Sequence, residues 1–325
     1  MKPRILVITP VRHIPGVIET LERAGEVNYL DDPTPGEVRE AIVGQHAVFT
    51  NPNKSDVFLG EDVLAPGLDL VVLCTASTGT NHIDLAHTRQ RGITVLCLKE
   101  ESKVIDRISS TAEHAFALML SALRHIPAAF EAVRRGDWDY EPFIGRQLDH
   151  LTVGVVGYGR LGRKFAHYVS AFGTTVLVFD PYVEQVQFPA RKVELDQLLR
   201  SSDVISLHVH LDEETTGMVD RSWFARMKSS VLLVNTARGE LVHEWELIDF
   251  LRRNPGAQLV ADVVAGEVLE RSTSPLIEYA RKSTNAILTP HIGGMTREGQ
   301  AIAFNHAAEM LERFILAEWT CGQRV

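Results

Sequence analysis

LTVGVVGYGRLGRKFAHYV, residues 151 to 169, decides how this chain is read. A short apolar run ends in Gly157-Tyr158-Gly159-Arg160-Leu161-Gly162, and the residues after it have helical spacing. A G-x-G-x-x-G by itself is weak evidence. Directly after a strand, and opening a helix, it gains a mechanical meaning. Gly157 permits the tight turn, Gly159 lets the backbone approach a pyrophosphate, and Gly162 lets helix and strand pack closely. The helix N-terminus then offers N–H groups and the positive end of its dipole to phosphates.

The next apolar run ends in FDPYV, with Asp180 standing 18 residues past Gly162. An acid near that spacing accepts hydrogen bonds from the adenosine ribose hydroxyls. Its charge repels a 2′-phosphate, so the pattern favours NAD over NADP. Taken alone, the same residues are a glycine turn and a solvated strand-end aspartate. Strand, loop, helix and acid in register favour the dinucleotide.

Strands and helices alternate on both sides of this loop. RILVIT (4–9), HAVFT (46–50), DLVVLCT (69–75) and ITVLC (93–97) read as strands, with helices at 15–25, 35–43 and 84–91. A second series follows: TVLVFD (175–180), VISLHV (204–209), VLLVNT (231–236), QLVADV (258–263) and AILT (286–289). Such alternation predicts parallel sheets with helices on both faces, an α/β fold. Between the series, 103–126 holds a long connecting helix, with Ala115, Leu118, Met119, Ala122 and Leu123 at helical spacing, and RRGDWDYEPFIGRQLD predicts an irregular surface segment. Residues 296–319 predict an amphipathic helix.

The 325 residues suggest about two domains. A net charge of −9 disfavours non-specific binding to nucleic acid or to an anionic membrane. Three scattered cysteines give neither metal spacing nor a disulfide framework, so no metal is expected. No run approaches the ~20 apolar residues of a membrane span, and MKPRILVITPV does not read as a signal peptide. A reducing cytoplasm is the default expectation.

In a doubly wound sheet the carboxyl ends of the strands share one rim, where ligands bind. The second series ends in polar residues there: His208 and His210, then Arg238, then Asp262 with Glu267, then His291 in AILTPHIGG. Alone, Arg238 is a surface ion-pair partner and Glu267 a solvated loop charge. Together they suit hydride transfer between NAD and a 2-oxo or 2-hydroxy acid. A histidine serves as both acid and base near neutral pH. A carboxylate beside a histidine fixes its tautomer and raises its pKa, a role for Glu267. A guanidinium grips a carboxylate and polarises a neighbouring oxygen, a role for Arg238.

At this point the chain resembles the D-isomer-specific 2-hydroxyacid dehydrogenases along nearly its whole length. The residues that carry this are TGTNHIDL (78–85), TAEHAFALML (111–120), VGVVGYGRLG (153–162), FDPY (179–182), LHVHLDEETTGMV (207–219), LLVNTARGELV (232–242), ADVVAGEVLE (261–270) and LTPHIGG (288–294). The resemblance implies two Rossmann-like doubly wound parallel-sheet domains, with the cofactor domain inserted into the substrate domain. On this reading 1–102 and 296–325 form the substrate domain and 103–295 the NAD-binding domain. It implies Arg238, Glu267 and His291 as the catalytic set. Implied cofactor contacts, besides the three glycines, are Arg160, Leu161, Asp180, His208, Val209, His210, Thr215, Thr236, Ala237, Asp262, Gly293 and Gly294. Asn51, Ser77, Thr78 and Gly79 are implied at the substrate, and a homodimer joined through the cofactor domains is implied as the assembly.

Two further readings stay open. One is a dinucleotide-sensing corepressor on the same scaffold, since fold does not settle function. The other is a phosphite- or formate-oxidising relative, and Glu267 argues against formate. The loop NPNKSD after the strand HAVFT is either a solvated turn or a substrate contact. In the second case Asn51 binds a hydroxyl on the substrate's C3, or Lys54 attracts a second anionic group. Hydroxypyruvate or a di-anionic 2-oxo acid would then be preferred to pyruvate.

Overall fold

The computed structural model describes residues 2–52, 57–268 and 273–320. The chain divides into two compact units, Met1–Ile108 with Met295–Val325, and Ser109–Gly294. Among the described residues, no single helix is long and apolar enough to cross a membrane.

The first unit holds β1 (Arg4–Val7), β2 (Glu26–Tyr29), β3 (Ala47–Thr50), β4 (Val72–Thr75) and β5 (Thr94–Leu96). They pair in parallel in the order β2-β1-β3-β4-β5, one of the two common doubly wound orders. Both faces are covered. Ile5, Val7 and Phe49 share a core with Leu21 and with Phe304 and Leu311 of the helix Arg297–Thr320. Leu6, Val48 and Leu73 share another with Val38, Ile42 and Leu64. Two-sided burial is why β1, β3 and β4 read as unbroken apolar runs rather than alternating ones.

The second unit holds β6 (Thr152–Val156), β7 (Thr175–Phe179), β8 (Arg191–Lys192), β9 (Val204–Leu207), β10 (Leu232–Asn235), β11 (Gln258–Ala261) and β12 (Ala286–Leu288). All pairs are parallel, in the order β12-β11-β10-β9-β6-β7-β8. The winding reverses between β6 and β9. At such a reversal the crossover helices leave to opposite faces and open a crevice at the carboxyl rim. The two-unit, parallel-sheet α/β fold is thus as the sequence implies.

Two flanking helices and two edge strands go beyond the sequence reading. The long helix expected within 103–126 is Ser110–Leu123, and two helices not anticipated, Ser102–Ile105 and Ile126–Arg134, flank it. The Ser109 hydroxyl bonds the Glu113 carboxylate at the start of the middle helix. At its end Pro127 has no amide to give the Leu123 carbonyl four residues back, and its ring crowds that carbonyl; the Arg146 amide takes it instead at 3.0 Å, and His125 turns to φ 52°. The segment expected to be irregular, RRGDWDYEPFIGRQLD, holds only the last residue of that second flanking helix and two short 3-10 turns, Glu141–Phe143 and Leu148–His150. Strands β2 and β8 carry no apolar run, because they lie at sheet edges and are partly or wholly exposed.

His208 follows β9 and turns its ring inward. It bonds the Ser206 hydroxyl at 2.8 Å and lies 5.0 Å, centroid to centroid, from Phe165. Burial lowers its pKa to about 3, so at neutral pH it is an uncharged packing group. Its folded pKa lies below its unfolded one, so below about pH 6.5 the unfolded chain binds the extra proton and stability falls with pH. A His208→Phe protein should therefore lose less thermal stability than the wild type between pH 7 and pH 5. Identical losses in calorimetry would contradict the assignment of a neutral, buried ring.

Candidate active site

The glycine loop lies at the reversal point. Gly157 adopts φ 89°, and a Cβ there would sit 2.6 Å from the carbonyl oxygen of His208, which ties the ends of β6 and β9 together. A Cβ on Gly162 would come within 2.0 Å of the Gly157 oxygen, so any side chain would push helix Arg160–Ala171 off the loop. Gly159, the N-cap of that helix, is the opposite case: a Cβ would meet nothing within 4 Å, and the glycine itself brings no side chain to cap the helix amides. These amides can take an anion. Asp180, at the end of β7, is fixed beside the loop by amides of Tyr158 (2.7 Å) and Tyr182 (2.9 Å). At the end of β10, the buried Thr236 hydroxyl has no partner among the described residues. An orphaned buried hydroxyl and an open glycine at a helix start fit a dinucleotide. Thr215, in the loop after β9, is occupied locally, donating to the His210 carbonyl.

On the same rim, past β11 and β12, His291 and Glu267 meet. His291 Nδ1 lies 2.6 Å from Glu267 Oε1, and both side chains stay partly open to solvent. A carboxylate only accepts, so Nδ1 carries the proton toward it. His291 stands at φ 54°, a left-handed conformation that a residue with a Cβ rarely adopts.

Asp262 holds it there. Its backbone oxygen accepts from the His291 amide at 2.9 Å. Its carboxylate accepts from the Ile292 amide (2.9 Å), the Gly293 amide (2.7 Å) and the Thr289 hydroxyl (2.5 Å). Thr289 has given its one proton to Asp262, so the 2.9 Å contact of its hydroxyl with His114 must be donated by His114 Nε2. That nitrogen also lies 3.3 Å from Asp262 Oδ1. Burial works against the Asp262 charge, and the bonds from His114, Thr289, Ile292 and Gly293 outweigh it, holding the carboxyl below its usual range. A Cβ on Gly293 would lie 2.9 Å from that carboxylate, whereas Gly294 faces open space.

Arg238 follows β10. Its guanidinium donates to the Ala237 carbonyl at 2.6 Å, and its own carbonyl accepts from Asn235 at 2.8 Å. The next residue, Gly239, passes so close to Val264 that a Cβ would lie 2.0 Å from its carbonyl carbon. The Arg238 segment and the Glu267 loop are thus in direct backbone contact. Sequence reasoning passed over Glu240, Glu244 and His114, which brace this arrangement. His114 was quoted within TAEHAFALML, but nothing in a local pattern says which loop a helix side chain will meet.

In the first unit, Asn51 is buried and its amide donates to the Ala76 carbonyl at 3.1 Å. The Ser77 hydroxyl accepts from the Gly79 amide at 3.0 Å, with Thr78 half-buried between them. Asn51 thus helps hold the turn that carries the other candidate substrate residues. Asn53 and Lys54 lie outside the described residues.

Comparison with known proteins follows the same lines. Residues 116–293 match the family model of the D-isomer specific 2-hydroxyacid dehydrogenase, NAD binding domain. A D-3-phosphoglycerate dehydrogenase of Mycobacterium tuberculosis is 33% identical over 308 residues, 94% of this chain and 56% of that relative. The chain therefore spans little more than half the length of that curated protein. A hydroxypyruvate reductase of Thermotoga maritima is 34% identical over 248 residues, covering 74% of this chain and 76% of the relative. The crystal structure of D-lactate dehydrogenase from Aquifex aeolicus, complexed with NAD and lactic acid, superposes with a TM-score of 0.80 at 26% identity, over 98% of this chain and 96% of that one.

The Asp262 network can be tested by a single change. Asp262→Asn keeps the shape but places a donor among donors and leaves amides unmatched. Unmatched buried amides cost about 1–3 kcal/mol each, so urea unfolding should move to clearly lower concentration. An Asn variant as stable as the wild type would show that the loop does not depend on this carboxylate.

Proposed function

Because the chain belongs to the D-isomer-specific 2-hydroxyacid dehydrogenases, we propose that it transfers a hydride between NAD(H) and C2 of a small 2-oxo or 2-hydroxy acid. The observation that carries this is the 2.6 Å His291–Glu267 pair on the rim that also bears the glycine loop. The glycine loop, Asp180 and Thr236 would hold NADH, which when bound would supply the hydride. His291 Nε2 gives a proton to the C2 oxygen in reduction and takes it back in oxidation. Glu267 orients the ring and stabilises its cationic form. Arg238 binds the substrate carboxylate and draws charge onto the C2 oxygen. Asn51 and the Ser77–Gly79 turn are assigned to substrate recognition.

The substrate is proposed to carry a polar group on C3, as in hydroxypyruvate or a phosphorylated 2-oxo acid. The names of the relatives from M. tuberculosis and T. maritima favour this over pyruvate. The assembly is proposed to be a homodimer. The second unit exposes Phe130, Trp138, Tyr140 and Ile144 on one stretch of chain, of which Trp138 is 90% exposed. Large apolar side chains gathered in this way mark an interaction surface, and a second copy of the chain is the partner the proposal commits to.

A screen of glyoxylate, pyruvate, hydroxypyruvate and phosphorylated 2-oxo acids with NADH and NADPH tests the proposal. Turnover is expected with NADH in preference to NADPH, and best with a C3-substituted acid. His291→Ala should lower kcat by roughly 10²–10⁴-fold, the usual share of a general acid/base. Full activity in that variant would remove His291 from the chemistry. Sedimentation of the same preparation should find a dimer, and a monomer at assay concentration would remove that part of the proposal.

A further inference from the structure

Two carboxylates that touch no reacting group hold the loop that carries Glu267. The Ala265 amide donates to Glu244 Oε1 at 2.8 Å, and the Gly266 amide donates to Glu240 Oε1 at 3.1 Å. Gly266 stands at φ 65°, a turn that aims the next residue, Glu267. Glu244 is only 8% exposed and also accepts from the Leu276 amide and the Ser274 hydroxyl. Ser274 in turn accepts from the Ile277 amide. Burial raises the Glu244 carboxyl above its usual range, and these donors oppose that rise. A buried acid surrounded by donors calls for a group that only accepts, which a carboxylate does and an amide does not. Glu240 and Glu244 lie just after Arg238, and Gly239 lies against Val264. One short segment, 238–244, therefore presents Arg238 and grips the backbone from which Glu267 reaches His291.

We infer that Glu244, assisted by Glu240, is a positioning residue that sets Glu267 against His291 Nδ1 by holding the amides of residues 265 and 266. The geometry on which this rests involves only the second unit. Its effect on rate rests on the function proposed above.

The test is a double-mutant cycle. Glu244→Ala and Glu244→Gln are made alone and in a Glu267→Gln background, with NADH and the best 2-oxo acid from the screen. If Glu244 acts through Glu267, Glu244→Ala lowers kcat roughly tenfold or more in the wild-type background and about twofold or less where Glu267 is already changed. KM and NADH affinity should stay close to wild type in both. Equal losses in the two backgrounds would overturn the inference, because damage unrelated to Glu267 is additive. A second readout needs no turnover: the ¹⁵N resonances of the His291 ring, assigned by their loss in His291→Ala. They should move in Glu244→Ala, and less in Glu244→Gln, which keeps one acceptor. An unmoved ring in a folded Glu244 variant refutes the positioning role. Absence of turnover in the wild type, with a moved ring, refutes the proposed reaction instead.

Discussion

The rim of the second unit depends on one carboxylate, that of Asp262. A left-handed backbone at a residue with a Cβ costs about 1–2 kcal/mol, and His291 adopts it. Hydrogen bonds to a charged group contribute about 1.5–3 kcal/mol each, and the Asp262 carboxylate receives amides from the two residues that follow His291. The balance favours the unusual turn. The turn aims the imidazole at Glu267, and the glycine after Ile292 is small enough to sit against the carboxylate. Gly293 is there because Asp262 is there, whereas nothing crowds Gly294.

The sheet explains why distant parts of the sequence meet. Seven parallel strands deliver their carboxyl ends to one rim, and the reversal between β6 and β9 puts the glycine loop in the crevice. Close packing then couples the parts. Gly157 touches the end of β9, Gly162 touches the loop of Gly157, and Gly239 touches the loop that leads to Glu267. Each is a place where an added methyl group would need the backbone to move. The candidate cofactor loop and the His291–Glu267 pair are therefore built on one rigid frame, as a site with accurate geometry requires.

Much of this was legible in the sequence, for physical reasons. Strands buried on both faces produce apolar runs, so β1, β3, β4 and β6 announced themselves. Gly157 and Gly162 read as a tight turn and a close packing contact because at both a Cβ would run into backbone. What did not read is what depends on partners far away in sequence. Edge strands β2 and β8 bury too little to leave a pattern. The break at His125 needed the Ile126-Pro127 step to be weighed above the helical spacing around it. His208 read as a polar strand end, yet its ring packs on Phe165. Glu244 drew no reading at all, because no local feature tells that Ala265 will seek it as an acceptor.

The central claim is that this rim carries out hydride transfer to C2 of a 2-oxo acid. The most direct measurement follows the hydride itself. NADH deuterated at nicotinamide C4 is mixed with excess enzyme and hydroxypyruvate, glyoxylate or a phosphorylated 2-oxo acid in a single turnover, and the product is read by mass spectrometry and NMR. The account predicts deuterium at C2 of the 2-hydroxy acid from one face of the nicotinamide. NADH bound by the protein, with its deuterium retained in the presence of every 2-oxo acid, would contradict it.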